Sequence, residues 1–294
     1  MVTKIEDKAS IFLKPVVSKG IVVPQPRILI LDSGVGGLSI YDKVKQTLPN
    51  ARYLYVFDNE GFPYGEKSEK FIVDRVVGII GSMWCLHQFD LVIIACNTAS
   101  TIVLPVLRKR FSFPIIGVVP AIKPAIKLTR NGIVGLLATR ATIQCRYTYD
   151  LINQFAGDCQ ILQLGMPELV HMAEAKLHGE IVLLLGLRKL LNPWLNSSAT
   201  PDTIVLGCTH FSLLRQELHA VFPKGTYLVD SGAAVARRAA WLSARNMKVN
   251  DYLENQITQN TAYCLARTPQ VQALVPALMC YGFASLQNLS CIIR

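Results

Sequence analysis

Short runs of aliphatic residues recur along the chain, and each is followed at once by polar or small residues. Such runs are typical of buried strands in a parallel sheet that is covered by helices. Helical stretches alternate with them, for example at 71–89 and 232–245. The predicted strands are 28–31, 53–57, 91–95, 114–119, 132–138, 160–164, 203–207 and 227–229. This alternation predicts an α/β fold built on parallel sheets.

One stretch of the chain occurs twice in similar form. Residues 90–98 read Asp-Leu-Val-Ile-Ile-Ala-Cys-Asn-Thr, and residues 202–210 read Asp-Thr-Ile-Val-Leu-Gly-Cys-Thr-His. A weaker match joins residues 28–33 to 134–139. We therefore expect two pseudo-symmetric parallel-sheet α/β domains, with the active site in the cleft between them. Residues 1–26 lack periodicity and are interpreted as an N-terminal extension.

The composition excludes several classes of protein. Of the 294 residues, 51% are hydrophobic and only 17% are charged, which rules out a disordered chain. The uncharged run 91–107 is short for a membrane span and contains polar residues and a proline. The N-terminal stretch has no uninterrupted apolar core of the kind found in signal peptides. We therefore expect a cytoplasmic protein without a membrane partner.

Cysteine usage and charge narrow the picture further. The eight cysteines include no CxxC pair, so a structural zinc site has little support and free thiols are expected. The net charge of +10 would suit acidic small substrates, nucleic acid or an anionic membrane. The basic residues are scattered, however, and the densest cluster, 108–110, is typical of a solvated helix end.

Polar and thiol-bearing residues follow the predicted strands, where ligands bind in open parallel sheets. These residues are Asp32, Ser33, Cys96, Asn97, Thr98, Thr139, Cys208, Thr209 and His210. Two sheets that face one another would bring Cys96 and Cys208 to opposite walls of one cleft. A lone cysteine after a strand is more often a packing residue, but the duplicated context favours a chemical role for both.

Two facing thiols suit the inversion of a carbon stereocentre. A thiolate can remove a proton from one face of the carbon while a thiol on the other face returns one. Backbone N–H groups of a glycine-rich turn, such as 34–37, could hold a substrate carboxylate, or that segment could simply form a turn. These residues demand neither a metal nor an organic cofactor. His210, two positions after Cys208, could tune the thiol or donate a hydrogen bond.

Four motifs together resemble those of the glutamate racemases, in the cofactor-independent aspartate/glutamate racemase superfamily. They are Asp32-Ser33-Gly34-Val35-Gly36-Gly37-Leu38, Pro63-Tyr64-Gly65, Ala95-Cys96-Asn97-Thr98-Ala99-Ser100 and Gly207-Cys208-Thr209-His210-Phe211. The resemblance runs from about Arg27 to near the C terminus. It implies interconversion of L- and D-glutamate, which supplies D-glutamate for peptidoglycan.

The resemblance also implies roles for individual residues. Cys96 would abstract the α-proton of D-glutamate and Cys208 that of L-glutamate, assisted by Asp32 and His210, with Glu174 in support. The implied substrate contacts are Asp32, Ser33, Tyr64, Gly65, Asn97, Thr98, Thr142, Thr209 and His210.

The same resemblance implies the domain organisation and the partners. Residues 27–118 and 229–294 would form a discontinuous first domain, and residues 119–228 the second. UDP-N-acetylmuramoyl-L-alanine is a possible activator and DNA gyrase a possible partner, for a monomer or homodimer. Two alternatives stay open: an aspartate racemase with the same cysteine pair, and a non-catalytic regulator of gyrase or nucleic acid.

Overall fold

The computed structural model describes residues 25–246 and 259–289, which contain ten strands and thirteen α-helices. The strands β1–β10 are Arg27–Asp32, Arg52–Phe57, Leu91–Ile94, Ile115–Gly117, Ile133–Ala138, Gln160–Gly165, Thr203–Leu206, Tyr227–Val229, Thr261–Cys264 and Ser285–Asn288. The helices α1–α13 are Leu38–Thr47, Glu69–Leu86, Asn97–Arg110, Ile122–Leu128, Arg140–Gln144, Arg146–Phe155, Glu168–Leu177, Leu184–Leu195, Thr209–Leu213, Arg215–Val221, Gly232–Asn246, Pro269–Ala273 and Val275–Tyr281.

The strands form two separate parallel sheets with related strand orders. The first sheet runs β10-β9-β2-β1-β3-β4, and the second runs β6-β5-β7-β8. The order β2-β1-β3-β4 therefore reappears as β6-β5-β7-β8. The register agrees as well, since Leu31 of β1 pairs with Ile94 of β3 and Leu137 of β5 pairs with Leu206 of β7. The predicted α/β fold with two pseudo-symmetric parallel sheets is confirmed.

Both faces of the first sheet are buried, which explains why β1 is continuously apolar rather than alternating. Ile28 and Ile30 pack into one core with residues of α1 and α11. Leu29 and Leu31 point to the opposite face, into a core built with α2 and α3. All four side chains are fully buried.

The predicted elements agree with the observed ones to within a few residues. All eight predicted strands are present as β1–β8, and the predicted helices correspond to α2 and α11. Short helices were not predicted, because segments such as α5 and α9 contain too few residues to show a helical period. The predicted extension 1–26 lies outside the described residues except for its last two.

The end of the chain returns to the first sheet. β9 pairs with β2, and β10 pairs with β9 to form the edge of that sheet. These two strands were not predicted, because β9 has only four residues and β10 is mostly solvent-exposed and carries no apolar run. Their location agrees with a discontinuous first domain, whose boundaries at 118 and 229 stay a prediction.

No helix within the described ranges is long and apolar enough to span a lipid bilayer.

Phe283 anchors the returning segment, and its truncation tests that role. Its ring is 2% exposed and lies 4.6 Å from the ring of Tyr41 and 5.8 Å from that of Tyr55, between centroids. We expect Phe283→Ala to lower the free energy of unfolding by about 3–5 kcal/mol, because it leaves a cavity. Urea unfolding followed by circular dichroism measures the change. Met279→Ala, at a position that is 61% exposed, is the control and should be nearly neutral; equal losses for both variants would contradict the assignment.

Candidate active site

A cavity lies between the two sheets, at the carboxyl ends of their strands. Both domains contribute to its wall, as expected for parallel α/β sheets that face each other. The lining residues are Ser33, Pro63, Tyr64, Gly65, Glu66, Cys96, Asn97, Thr98, Thr139, Arg140, Pro167, Val170, His171, Cys208, Thr209 and His210.

Cys96 and Cys208 occupy equivalent positions in the two halves. Cys96 precedes α3 just after β3, and Cys208 precedes α9 just after β7. Both have extended backbone and both are buried, with 7% and 8% of their surface exposed. The two thiols therefore reach one cavity from opposite domains.

The surroundings of Cys96 favour the uncharged thiol. Burial raises the pKa of Cys96 well above its ordinary value, and the carboxylate of Asp32 raises it further. Hydrogen bonds from the Ala99 N–H and from the Ser33 hydroxyl, whose Oγ lies 3.9 Å from the sulfur, lower the pKa of Cys96, but by less than burial raises it.

Asp32 supports this side of the cavity without lining it. Its carboxylate is fully buried and accepts hydrogen bonds from the N–H groups of Ser33, at 2.8 Å, and Gly37, at 2.6 Å. These bonds fix the turn after β1 and so place the Ser33 hydroxyl beside Cys96. Burial raises the pKa of Asp32 to about 6, although the positive charge on His210 opposes the shift.

On the other side of the cavity, Cys208 is followed by a hydrogen-bonded chain of side chains. The Cys208 sulfur lies 3.8 Å from Nδ1 of His210, and Nε2 of His210 lies 2.7 Å from Oε1 of Glu174. The same Glu174 oxygen accepts a hydrogen bond of 2.9 Å from the Val35 N–H of the first domain. The chain therefore joins a thiol of the second domain to the glycine-rich turn of the first.

The surroundings of His210 favour its positively charged form. Burial alone would lower its pKa, but the hydrogen bonds and charges of Cys208 and Glu174 raise that pKa well above the ordinary value. The Gly36 N–H also lies 3.2 Å from Nε2. A carboxylate is the stronger partner for that nitrogen, so we take Nε2–H to donate to Glu174.

Two glycines of the turn make room for this pair. A Cβ at Gly36 would overlap the imidazole ring of His210, and a Cβ at Gly34 would overlap Glu174 and the ring of Phe62. The turn predicted at 34–37 is therefore also the receptor for side chains of the other domain.

Hydroxyl and amide groups complete the polar wall. The hydroxyls of Thr98, Thr139 and Thr142 lie within hydrogen-bond distance of one another, at 2.9–3.3 Å, and link the two domains. Asn97 is 3% exposed, and its amide nitrogen has no hydrogen-bond partner within the described residues. Since a buried donor is costly to leave unpaired, this amide is suited to an oxygen of a bound molecule.

The structure brings most of the predicted site residues to the cavity. Ser33, Tyr64, Gly65, Cys96, Asn97, Thr98, Cys208, Thr209 and His210 all line it. Asp32, Thr142 and Glu174 lie behind this lining and contact it through Ser33, Thr139 and His210. Tyr64 contributes its ring, since its hydroxyl donates to Asp58, 2.7 Å away, instead of to the cavity.

Several lining residues were not predicted as site residues. They are Pro63, Glu66, Thr139, Arg140, Pro167, Val170 and His171. Thr139 stood out in the sequence as a polar residue directly after the strand β5, but it was not assigned a role in the site. Spacing in α7 was the other signal: His171 and Glu174 are three residues apart on one helix face.

The described residues contain no cluster of three or more His, Cys, Asp or Glu side chains that could hold a metal ion. What the lining offers is acid–base chemistry, with one sulfur on each side and neutral hydrogen-bond donors between them.

Known proteins of similar sequence cover almost the whole chain. The sequence pattern of the Asp/Glu/hydantoin racemase family matches residues 28–239. A glutamate racemase of Sodalis glossinidius is 67% identical over 285 residues, covering 97% of this chain and 98% of that protein. Another, of Yersinia pseudotuberculosis, is 55% identical over 289 residues, covering 98% and 99%.

Solved structures show the same fold. The crystal structure of Escherichia coli glutamate racemase in complex with L-glutamate and the activator UDP-MurNAc-ala is 54% identical, with a TM-score of 0.87. The match covers 92% of this chain and 100% of that one. A glutamate racemase isoform from Bacillus anthracis, at 23% identity, has the same fold with a TM-score of 0.72, over 88% of this chain and 96% of that one.

The ion pair between Glu174 and His210 predicts a measurable titration. We expect Glu174→Gln to lower the pKa of His210, because the variant loses the carboxylate charge and the charge-assisted hydrogen bond. The raised pKa stabilises the fold fully below pH ~6.5, and this contribution is lost as the pH rises through the folded-state pKa. Nitrogen-15 NMR of the histidine side chains measures the titration, with His219, outside the cavity, as the internal control. An unchanged His210 pKa in the variant would show that the pair does not hold the charge.

Proposed function

The chain belongs to the Asp/Glu/hydantoin racemase family, and we propose on this basis that it interconverts L- and D-glutamate. The observation that carries the proposal is the pair of sulfurs, Cys96 and Cys208, which reach one cavity from opposite domains. The names of the similar proteins support glutamate as the substrate.

The reaction requires one thiolate and one thiol. In the direction from L to D, the Cys208 thiolate takes the α-proton of L-glutamate, and the electron pair of the broken C–H bond stays on the α-carbon. The Cys96 thiol then delivers its proton to the opposite face, which leaves D-glutamate, a Cys208 thiol and a Cys96 thiolate. The reverse direction begins from that second state, so that the proton count balances over a complete cycle.

The surroundings of the two thiols support this assignment. Charged His210 can donate its Nδ1–H to the Cys208 sulfur, which suits a thiolate there. Burial of Cys96 favours the protonated thiol that must deliver a proton. Negative charge that forms at the substrate is accommodated by the Asn97 amide and by the hydroxyls of Ser33, Thr98 and Thr209, all of which line the cavity.

Asp32 and Glu174 act in the proposal through other residues. Asp32 holds the Ser33 turn beside Cys96, and Glu174 keeps His210 charged and oriented. Thr142 acts through Thr98 and Thr139, whose hydroxyls it contacts.

The cellular role and the activator belong to the same proposal. D-glutamate made in the cytoplasm would enter peptidoglycan synthesis. The E. coli enzyme has been crystallised with UDP-MurNAc-ala as activator, and this chain matches it over 92% of its length. We propose that the same muramyl nucleotide stimulates this chain, which rate measurements with and without the nucleotide would show. A role at gyrase and the oligomeric state stay predictions.

Replacement of either cysteine tests the two-base mechanism. We expect Cys96→Ala and Cys208→Ala each to lower the racemisation rate of glutamate by at least about 100-fold, because each removes a proton-transfer group. Polarimetry measures the rate, and mass spectrometry in D2O measures one α-deuterium gained on inversion. Cys85→Ala changes an exposed thiol on α2 and is the matched control.

Near-wild-type turnover in either active-site variant would end the two-base proposal. Parallel assays with L-aspartate decide the substrate. Faster turnover of aspartate than of glutamate would identify an aspartate racemase with the same pair of cysteines.

A further inference from the structure

Asp58 is a buried carboxylate next to the candidate active site that the reaction itself does not use. It follows β2 directly, and its side chain is fully buried. Its Oδ2 accepts hydrogen bonds from the Tyr64 hydroxyl, at 2.7 Å, and from Nε of Arg75, at 2.8 Å. Its Oδ1 accepts from the Gly61 N–H, at 3.0 Å, and from the Arg75 guanidinium. Four donors from three residues therefore converge on one carboxylate.

The guanidinium of Arg75 neutralises this charge from α2. Its side chain is 12% exposed and also contacts Glu60, 2.9 Å away, which is 55% exposed. Hydrogen bonding to Asp58 raises the pKa of Arg75, so the guanidinium stays charged. A buried bidentate pair of this kind has a narrow geometry and holds its surroundings in place.

What the pair holds in place is one wall of the cavity. Residues 63–66 belong to the segment that connects β2 to α2, and all four line the cavity. Tyr64 is fully buried, and burial together with the charge on Asp58 raises its pKa well above the ordinary value, so its hydroxyl remains a donor to Asp58. The tyrosine is therefore packed in the core through its ring and fixed in orientation through its hydroxyl.

The wall also faces the opposite domain closely. A Cβ at Gly65 would lie 3.3 Å from Cβ of Thr139. The hydroxyl of Thr139 in turn lies 2.9 Å from that of Thr142, in the opposite domain. A shift of residues 63–66 therefore changes the width of the cavity directly.

We propose that the Asp58–Arg75 pair is a positioning element that fixes Tyr64 and so sets the size of substrate the cavity accepts. This inference rests on the proposed function and assigns to Asp58 and Arg75 a role in specificity. Pocket size is what separates a dicarboxylic amino acid from its homologue with one more methylene, a difference worth roughly 10–200-fold in kcat/KM.

Steady-state kinetics with L-glutamate and L-2-aminoadipate test the proposal on the full chain. Tyr64→Phe removes only the hydroxyl and leaves the ion pair intact, while Asp58→Asn removes the charge. We expect KM for glutamate to rise about five- to twentyfold in each variant, by more than kcat falls. We also expect the preference for glutamate over aminoadipate to fall by at least about fivefold. Partial unfolding would lower both rates together and leave that preference unchanged.

Three further measurements complete the test. Glu60→Gln removes the exposed partner of Arg75 and should change neither KM nor the preference. The double variant Asp58→Asn/Tyr64→Phe should have the same KM and preference as the poorer single variant, because both changes remove the same hydrogen bond between Tyr64 and Asp58. Calorimetry measures the Kd of L-glutamate independently of turnover. We expect this Kd to rise in the variants of Asp58 and Tyr64, as KM does.

The outcomes separate the two proposals. If the wild-type chain racemises glutamate but both variants keep its KM and its preference, the positioning role is wrong and the function stands. If the wild type binds glutamate without racemising it, the proposed function is wrong, and a raised Kd in the variants still supports the positioning role. A wild type that neither binds nor racemises glutamate overturns both.

Discussion

The contact between His210, Glu174 and the glycine-rich turn is the interaction on which the site depends. The charged imidazole and the carboxylate belong to the second domain, and the turn that receives them belongs to the first. The contact leaves no room for a Cβ at Gly34 or Gly36. The same interaction thus sets the charge next to Cys208 and holds the two domains at the separation that makes a shared cavity.

The two halves are alike in fold but not in chemistry, and the difference suits a reaction that begins from unlike thiols. When residues 90–98 are laid over 202–210, Thr98 takes the position of His210. Cys208 consequently has an imidazolium beside it, whereas Cys96 has hydroxyl groups and a buried carboxylate behind Ser33. Duplicated backbones place the sulfurs symmetrically, and one changed side chain makes their surroundings unequal.

A second layer of residues holds the lining in place. Asp32 and Asp58 use buried carboxylates, and Glu174 a partly buried one, to fix groups that face the cavity. The three partners differ: backbone N–H groups for Asp32, an arginine and a phenol for Asp58, and a histidine for Glu174. Each carboxylate is supplied with enough donors to remain in the interior, which is the condition for burying charge.

Most of the strands, and the residues that follow them, could be predicted from the sequence for a physical reason. Strands buried on both faces must be apolar throughout, and ligands bind where such strands end. β1, β3 and β7 therefore stand out as short apolar runs that lead to Asp32, Cys96 and Cys208. The repeat around the cysteines is by itself enough to indicate two related halves. The short strands β9 and β10 escaped prediction, because β9 has only four residues and β10 is mostly exposed at a sheet edge.

Only the tertiary structure decided how the side chains are used. The tyrosine of Pro63-Tyr64-Gly65 turns its hydroxyl away from the cavity towards Asp58, and Glu174, on an ordinary amphipathic helix, is the partner of a buried histidine. Neither outcome is visible in the hydrophobic pattern, because the partners lie 6 and 36 positions apart in the chain. Local pattern determines which segments become strands and which residues stand at their ends, whereas hydrogen bonds between distant segments determine which of those residues face a substrate.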